Sequence, residues 1–471
     1  MFEKILIAGR GEIAVRIART CREMGIRTVA VHSTADRDGA AARYADETVQ
    51  IGPPQPRRSY MYAPSLIEAA LRTSAEAVHP GYGFLSEDPD FARMCAENGL
   101  TLIGPGPDVM ETIGDKARTR ALLAAAGLPV LPGSAGAVAS LAEAEEVAAE
   151  VGYPVIVKAV AGGGGRGIAV ARDLGELRRV HRETTASARA MFGDGAVYLE
   201  RYLPRARHLE VQVLCDGHGA VLHLGERDCS TQRRRQKLIE EAPAPGLAAE
   251  VRERLAEYAV TAAKTLRHSG LGTVEFLLDD SADGAGDVTF MEVNGRIQVE
   301  HPVTEMVTGL DLVREQIEVA AGRRLTLAQD DVRISGWAIE CRINAEDADA
   351  GWRPAPGRLE VFRVPGGPGV RVDAGFEQGD TVPPYYDSMV AKLVVWAPDR
   401  AGAIARARRA LDEFAVSGPG VVTTLPLLGR LLAHPAFVEA RHHTAFVDER
   451  TEPGPSTGVP PPGDGAIPPD G

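Results

Sequence analysis

The chain has 471 residues, 44% hydrophobic and 25% charged, and its 65 acidic against 52 basic side chains give a formal net charge of −13 at pH 7. That length suits about three domains of roughly 150 residues each, with enough chain to bury a core unaided, and the acidic balance argues against nucleic-acid or anionic-membrane partners. No apolar run approaches a membrane span, no signal-peptide pattern opens the chain, and the five cysteines (Cys21, Cys95, Cys215, Cys229, Cys341) contain no CxxC, so we expect a reduced, cytoplasmic protein without a disulfide framework or a common structural zinc site.

Residues 3–8 predict a buried strand, residues 13–24 a helix closed by Gly25, and residues 27–32 a second strand, the opening of a doubly wound sheet. The turn between them, Gly9-Arg10-Gly11-Glu12-Ile13-Ala14, fits the GxGxxA dinucleotide fingerprint. That fingerprint wants an acid at the end of the second strand, where His32 stands with Asp36 already past it. Tight turn packing is the preferred reading, and nicotinamide binding the weaker one. Short strands at Ala77-Val78 and 100–103 alternate with helices to about residue 110. A helix over 115–126 stops at Gly127-Leu128-Pro129.

A β-branched strand over 153–160 leads to Gly162-Gly163-Gly164-Gly165-Arg166-Gly167 and a further strand over 168–171. This glycine run joins two strands, whereas a Walker loop leads into a helix. Its bare backbone N–H groups can close over phosphate as a flap, with Lys158 adding a point charge; the plain alternative is a flexible hairpin loop. Only six of the basic residues are lysines (Lys4, Lys116, Lys158, Lys237, Lys264, Lys392), so a Lys inside a motif suggests a site that needs a compact cation. The run Tyr198-Leu199-Glu200-Arg201-Tyr202-Leu203 reads as a strand and, after a flap, as a hinge against adenine.

Between Glu226 and Lys237 the triple Arg233-Arg234-Arg235 suggests an anion pocket for a small substrate, and Cys229 a packed residue rather than a nucleophile. Residues 247–268 predict a helix. Residues 272–300 predict a hairpin turning at 281–287, with Glu275 on one arm and Glu292 on the other, among apolar neighbours. Acids so placed need a cation, and two carboxylates with an amide oxygen suit Mg²⁺. Glu292, Asn294, Arg296, Gln298 and Glu300 alternate with Val293, Gly295, Ile297 and Val299, so an extended strand would aim five polar groups to one side; an amphipathic strand with a wet face fits equally. In the run 336–343, Trp337, Ile339, Cys341 and Ile343 share a face, and Glu340 and Arg342 take the other. From about 331 short strands and Gly/Pro turns dominate, followed by a helix over 401–413. The stretch 451–471 has the composition of a disordered tail.

Three long motifs carry a resemblance. His79-Pro80-Gly81-Tyr82-Gly83-Phe84-Leu85-Ser86-Glu87, Gln298-Val299-Glu300-His301-Pro302-Val303-Thr304-Glu305 and Pro383-Pro384-Tyr385-Tyr386-Asp387-Ser388-Met389 resemble biotin carboxylase, an ATP-grasp family, from residue 1 to about 447. The resemblance implies an α/β and α+β multidomain chain. Its parts would be an N-terminal Rossmann-like domain over 1–114, an ATP-grasp domain over 115–330 with a lid at about 131–203, a mostly β C-terminal domain over 331–447, and the tail over 448–471. It implies that MgATP and bicarbonate give carboxyphosphate, whose CO₂ is captured by biotin N1′ in the first half-reaction of an acetyl-CoA or acyl-CoA carboxylase.

By the same resemblance Lys116, Lys158, Gly163, Gly164, Gly165, Glu200, Arg201, Leu203, His208, Gln232 and Glu275 would bind ATP. Glu275, Glu292 and Asn294 would hold two Mg²⁺ or Mn²⁺ ions. Lys237, Arg296, Gln298 and the Val299 amide would hold bicarbonate, with Glu300 as its base. Arg342 would stabilise the biotin enolate, with Tyr82 near the ureido ring, and Arg16 falls at a homodimer interface. The implied partners are a separate biotin carboxyl carrier protein and acyl-CoA carboxyltransferase subunits. The family carries biotin on the lysine of a Met-Lys-Met hairpin, and no lysine follows Lys392. Gly9, Ala161, Arg235 and Gly295 depart from the family pattern, where Asn, Gly, His and Thr or Pro are usual. The alternatives are another ATP-grasp carboxylating ligase and a catalytically weakened assembly subunit.

Overall fold

The computed structural model describes residues 1–160, 167–279 and 286–451; the glycines Gly162 to Gly165, most of the expected turn at 281–287 and the tail beyond Thr451 lie outside them. Strands Glu47–Gly52, Arg27–Ser33, Lys4–Ile7, Ala77–His79 and Thr101–Leu102 form a parallel sheet in that spatial order. The helix Gly11–Glu23 turns Ile13, Ala14, Ile17, Ala18 and Cys21 onto Ile5 and Ile7, the stripe that 3.6-residue spacing produces. Gly11 opens that helix with φ +67°. The space in front of the helix is filled by Gly375, where an added Cβ would stand 2.5 Å from Glu12 N and 2.6 Å from Gly11 Cα. Arg10 meanwhile grips Asp36 with two hydrogen bonds (2.8 and 2.9 Å) and lies 4.2 Å from the centre of the Tyr386 ring. The fingerprint turn thus packs against Gly375 on one side, and beside it Arg10, Gly11, His32 and Asp36 help line a cavity of about 260 Å³.

A second sheet is antiparallel throughout. Its strands run Asp287–Asn294, Gly270–Asp279, Ala206–Cys215, Val221–Arg233, Gln236–Ala242, Trp337–Asn344, Met389–Ala397 and Val370–Ala374. It crosses the expected boundary near 331 without interruption, because Ile239 pairs with Cys341 and Glu241 with Ile339. Ile339, Cys341, Ile343, Leu393 and Val395 share a core with Ala403, Ala407 and Leu411 of the helix Arg400–Glu413. The opposite face carries Glu340, Arg342 and Lys392. A helix, Leu425–Ala433, closes the same core. A third, small antiparallel sheet joins Ile168–Ala171, Val155–Ala159 and Val197–Arg201, covered by the helices Leu141–Val151 and Leu174–Phe192, whose Ala144, Ala148, Leu177 and Val180 meet Val155, Val157 and Leu199. Among the described residues no helix is long and apolar enough to cross a membrane.

One expectation needs correction. The strand carrying Glu292 ends at Asn294 and does not extend to Glu300. Gly295 leaves the ladder, Ile297 is fully buried against a different core, and Glu300 becomes the N-cap of the helix His301–Thr308, with Pro302 in its first turn. The polar residues still converge, but through a loop rather than through pleat alternation.

Candidate active site

On the nucleotide side, Asp115 caps the helix Lys116–Ala125 by accepting from Arg118 N at 2.9 Å. Lys116 at its start donates to Glu292 Oε2 at 2.7 Å. Burial opposes ionisation of Glu292, yet Lys116 holds its carboxyl down at about 2. Lys158 and Glu200 point the same way from neighbouring strands and pair directly, with Arg120 Nε 3.3 Å from the other Glu200 oxygen. Gln232 is buried opposite Lys237 in the strand register, Leu203 is half-buried and Arg201 is exposed. Gly163, Gly164 and Gly165 are outside the described residues.

The centre of the site is a row of acids. Glu210, Glu275 and Glu292 lie directly opposite one another on three adjacent strands. Like charges facing across a sheet repel, so the row exists only with cations and donors around it. His208 Nε2 is 2.8 Å from Glu275 Oε2, and Asn294 donates to Glu275 Oε1 at 2.7 Å and to Glu292 Oε1 at 3.5 Å. Lys237 Nζ reaches Glu210 at 2.7 Å and Glu275 at 3.7 Å. Glu292 and Glu275 present hard oxygens beside Lys116 and Lys237, which fits a divalent cation escorting phosphates, while Asn294 turns its N–H to both acids and its Oδ1 to Arg296 at 3.3 Å.

Beyond that row, Glu300 is 1% exposed and held from both sides. Its Oε1 accepts from Lys237 at 2.5 Å and its Oε2 from Arg342 Nη2 at 2.9 Å. Burial would raise its carboxyl, but Lys237, Arg342 and Arg227 hold it well below the usual range. Arg296 donates to Gln298 Oε1 at 2.8 Å and pairs with Glu87 at 3.1 Å, while Gln298 donates to Glu275 at 3.3 Å. Tyr82 enters from the loop after Ala77–His79 and gives its hydroxyl proton to Glu12. Lys116, His208, Lys237, Glu275, Glu292, Asn294, Arg296, Gln298, Glu300 and Arg342 thus form one connected polar surface.

Three members escaped sequence reading. Glu210 follows His208 at the period-two spacing of a strand, a signal that would have found it. Arg227, with no exposure, holds Glu210 Oε1 at 2.6 Å and Thr304 Oγ1 at 2.9 Å. Glu240 accepts from Arg342 Nε at 2.6 Å; burial pushes it up to about 7 against the pull of Arg342, and Glu300 adds to the rise. The triple arginine sits differently from expectation. Arg234 and Arg235 form an exposed turn with positive φ, and Arg233 stacks on Trp352, whereas Lys237 enters the site. Arg16 is buried within its own chain, with Nη2 2.7 Å from both Glu305 and Asp311. Cys229 is fully buried beside Glu300, and burial, reinforced by Glu210, drives its thiol well up, which suits a packed residue.

A family model described as "Biotin carboxylase, N-terminal domain" matches residues 1–110. "Carbamoyl-phosphate synthase L chain, ATP binding domain" matches 115–328 and "Biotin carboxylase C-terminal domain" 340–449. The chain is similar to the biotin carboxylase of Nostoc sp., at 51% identity over 95% of this chain and 99% of that protein. It is also similar to biotin carboxylase 1 of Bacillus subtilis, at 50% over 95% and 98%. Among solved structures, the dimeric biotin carboxylase domain of Hydrogenobacter thermophilus 2-oxoglutarate carboxylase, with MgADP, ADP and bicarbonate, superposes with a TM-score of 0.92. It is 46% identical and the match covers 96% of this chain and 98% of that one.

Proposed function

The chain belongs to the biotin carboxylase family, and from that membership and the site's geometry we propose that it spends ATP to carboxylate biotin with bicarbonate. It is an ATP-dependent carboxylating ligase. The observation that carries the reading is Glu300, fixed between Lys237 and Arg342 at the end of the acid row.

The parts assigned to the residues rest on the family resemblance and on the contacts above. Bicarbonate is a weak nucleophile and needs a carboxylate to take its proton as it attacks the γ-phosphorus of ATP; Glu300 has that role. Lys237, Arg296, Gln298 and the Val299 N–H hold the anion, so that its attack is oriented before charge moves. Lys116, Lys158, Glu200, Arg201, Leu203, His208 and Gln232 would bind ATP. Glu275, Glu292 and Asn294 would hold two Mg²⁺ or Mn²⁺ ions, which when bound would neutralise charge on the transferring phosphoryl group. Carboxyphosphate then breaks to CO₂ and phosphate, the released phosphate takes the N1′ proton of biotin, and the enolate so formed, held by Arg342 beside Tyr82, attacks CO₂ to form the new C–N bond.

Biotin would arrive on a carrier lying outside residues 1–471, none of whose six lysines lies in a Met-Lys-Met sequence. Lys392, the last of them, has no exposure. The carboxybiotin would pass to acyl-CoA carboxyltransferase subunits, with this chain acting as a homodimer, as the Hydrogenobacter domain does. Five buried, unpaired cysteines suit a cytoplasmic setting. The test is ATP hydrolysis that requires bicarbonate and rises with free biotin, together with incorporation of labelled bicarbonate into carboxybiotin. Hydrolysis indifferent to bicarbonate would point to another ligase, and none at all to an assembly role. Expressed beside a biotin ligase, the purified chain should give no streptavidin signal; a biotinylated band at its own mass refutes the separate carrier.

A further inference from the structure

We propose that Lys392 and Glu12 form a positioning ion pair that locks Tyr82 and the Val299–Glu300 peptide into one arrangement and thereby sets the affinity for biotin. The proposal rests on the biotin carboxylase reading and adds residues to it.

Lys392 lies on the strand Met389–Ala397 and has no exposure; Glu12 is 4% exposed at the start of the helix Gly11–Glu23. Lys392 Nζ is 3.0 Å from Glu12 Oε1 and donates to the Val299 carbonyl oxygen at 2.8 Å. The same Glu12 oxygen accepts the Tyr82 hydroxyl proton. One ion pair therefore touches the loop carrying Tyr82 on one side and the turn carrying Glu300 on the other. Its members come from widely separated parts of the chain.

Lys392 is also directly opposite Arg342 on one flank of its strand and Asp373 on the other. Asp373 is occupied by Arg371 at 2.7 Å, and Glu12, rather than the buried Glu340 that also acts on Lys392, is the acid paired with it within 4 Å. A buried pair of this kind is often no more stabilising than packed apolar side chains, so its geometry offers a better reason for its presence than its energy does. The contacts on the nucleotide side, Lys116 with Glu292 and Lys158 with Glu200, involve neither residue. A defect in the pair should reach biotin through Tyr82, and bicarbonate through the Val299–Glu300 turn, and spare ATP.

The test compares Glu12→Gln, Tyr82→Phe, their combination and Lys392→Met by steady-state kinetics with free biotin, bicarbonate and ATP. Glu12→Gln removes only charge and Tyr82→Phe only a hydroxyl. Each should raise the biotin KM by about 10- to 100-fold, the scale seen when residues supporting a site are lost, with the ATP KM unchanged. The combination should cost no more than the worse single change, because both cut one link. Lys392→Met should show the same pattern; if that chain does not fold, the first three decide. A merely structural role would lower the active fraction and leave the biotin KM alone. An unchanged biotin KM in Glu12→Gln, or losses that multiply in the combination, overturns the proposal. A wild-type chain without biotin-stimulated, bicarbonate-dependent hydrolysis would instead sink the assigned function.

Discussion

Replacing Glu300 by Gln separates proton transfer from everything else the site does. The amide keeps the shape and one acceptor oxygen but cannot take the bicarbonate proton. Loss of a general base lowers kcat by about 10²–10⁴, which corresponds to about 3–5 kcal/mol in the barrier. A buried pair broken on one side can cost as much in stability, roughly 3–5 kcal/mol, and unfolding would then mimic loss of catalysis. Here both cations keep a second acid: Lys237 retains Glu210 at 2.7 Å and Arg342 retains Glu240 at 2.6 Å. The stability loss should therefore fall in the range for a single lost charged hydrogen bond, about 1–3 kcal/mol, and the variant should purify folded. Initial rates of ADP formation with saturating bicarbonate and biotin, paired with urea unfolding, read both quantities. The ATP KM should not move, since Lys116, Lys158 and His208 are untouched. A near-wild-type kcat would refute the assignment and hand the proton to another group, with Glu210 the first candidate.

Other outcomes follow from the same geometry. Both oxygens of Glu275 are engaged, by His208 and Asn294, whereas Glu292 Oε1 has only a 3.5 Å contact with Asn294. Glu292→Gln should therefore lower turnover and raise the Mg²⁺ requirement more than Glu275→Gln in a metal titration, and equal or reversed losses reject the ligand set. Burial lifts the Glu240 carboxyl from 4.5 to about 7, so the folded chain holds that proton more tightly than the unfolded one and this group's contribution to stability is lost as pH rises through 7. Glu240→Gln should gain on wild type between about pH 5 and 8 by up to about 3 kcal/mol, read by urea unfolding at each pH; a pH-independent difference contradicts the sign. Gly375→Ala would push a methyl group to 2.5 Å from Glu12 N and should cost about 1–3 kcal/mol, again by urea unfolding, with an unaltered midpoint as the contrary result.

The sequence was most legible where structure is local. The opening strand, helix and strand, the helix ended by Gly127, and the split of Arg342 from Ile339 and Cys341 all follow from periodicity and punctuation, and the long motifs brought most of the site with them. What it hid is non-local. Nothing in Gln236–Ala242 says that its partner is Trp337–Asn344, a hundred residues on. Glu210, Arg227 and Glu240 read as ordinary strand charges, because a buried acid and a solvated one look alike until the partner is seen. The alternation from Glu292 to Glu300 persisted past the end of its strand because each polar residue there answers a charged neighbour rather than a pleat. The GxGxxA turn had the right letters for a nucleotide, and only the fold shows that Gly375, hundreds of residues away, packs against it.

The unbroken antiparallel sheet has a consequence for how this protein can be taken apart. A cut near residue 331 would not release two finished modules. It would lay open the strand Gln236–Ala242 on one fragment and Trp337–Asn344 on the other, each with a free row of backbone donors and acceptors. Bare edges of that kind invite self-association. The two pieces should be insoluble when made apart and should recover activity when made together, so the chain offers a natural seam for a split enzyme whose halves report on each other's presence.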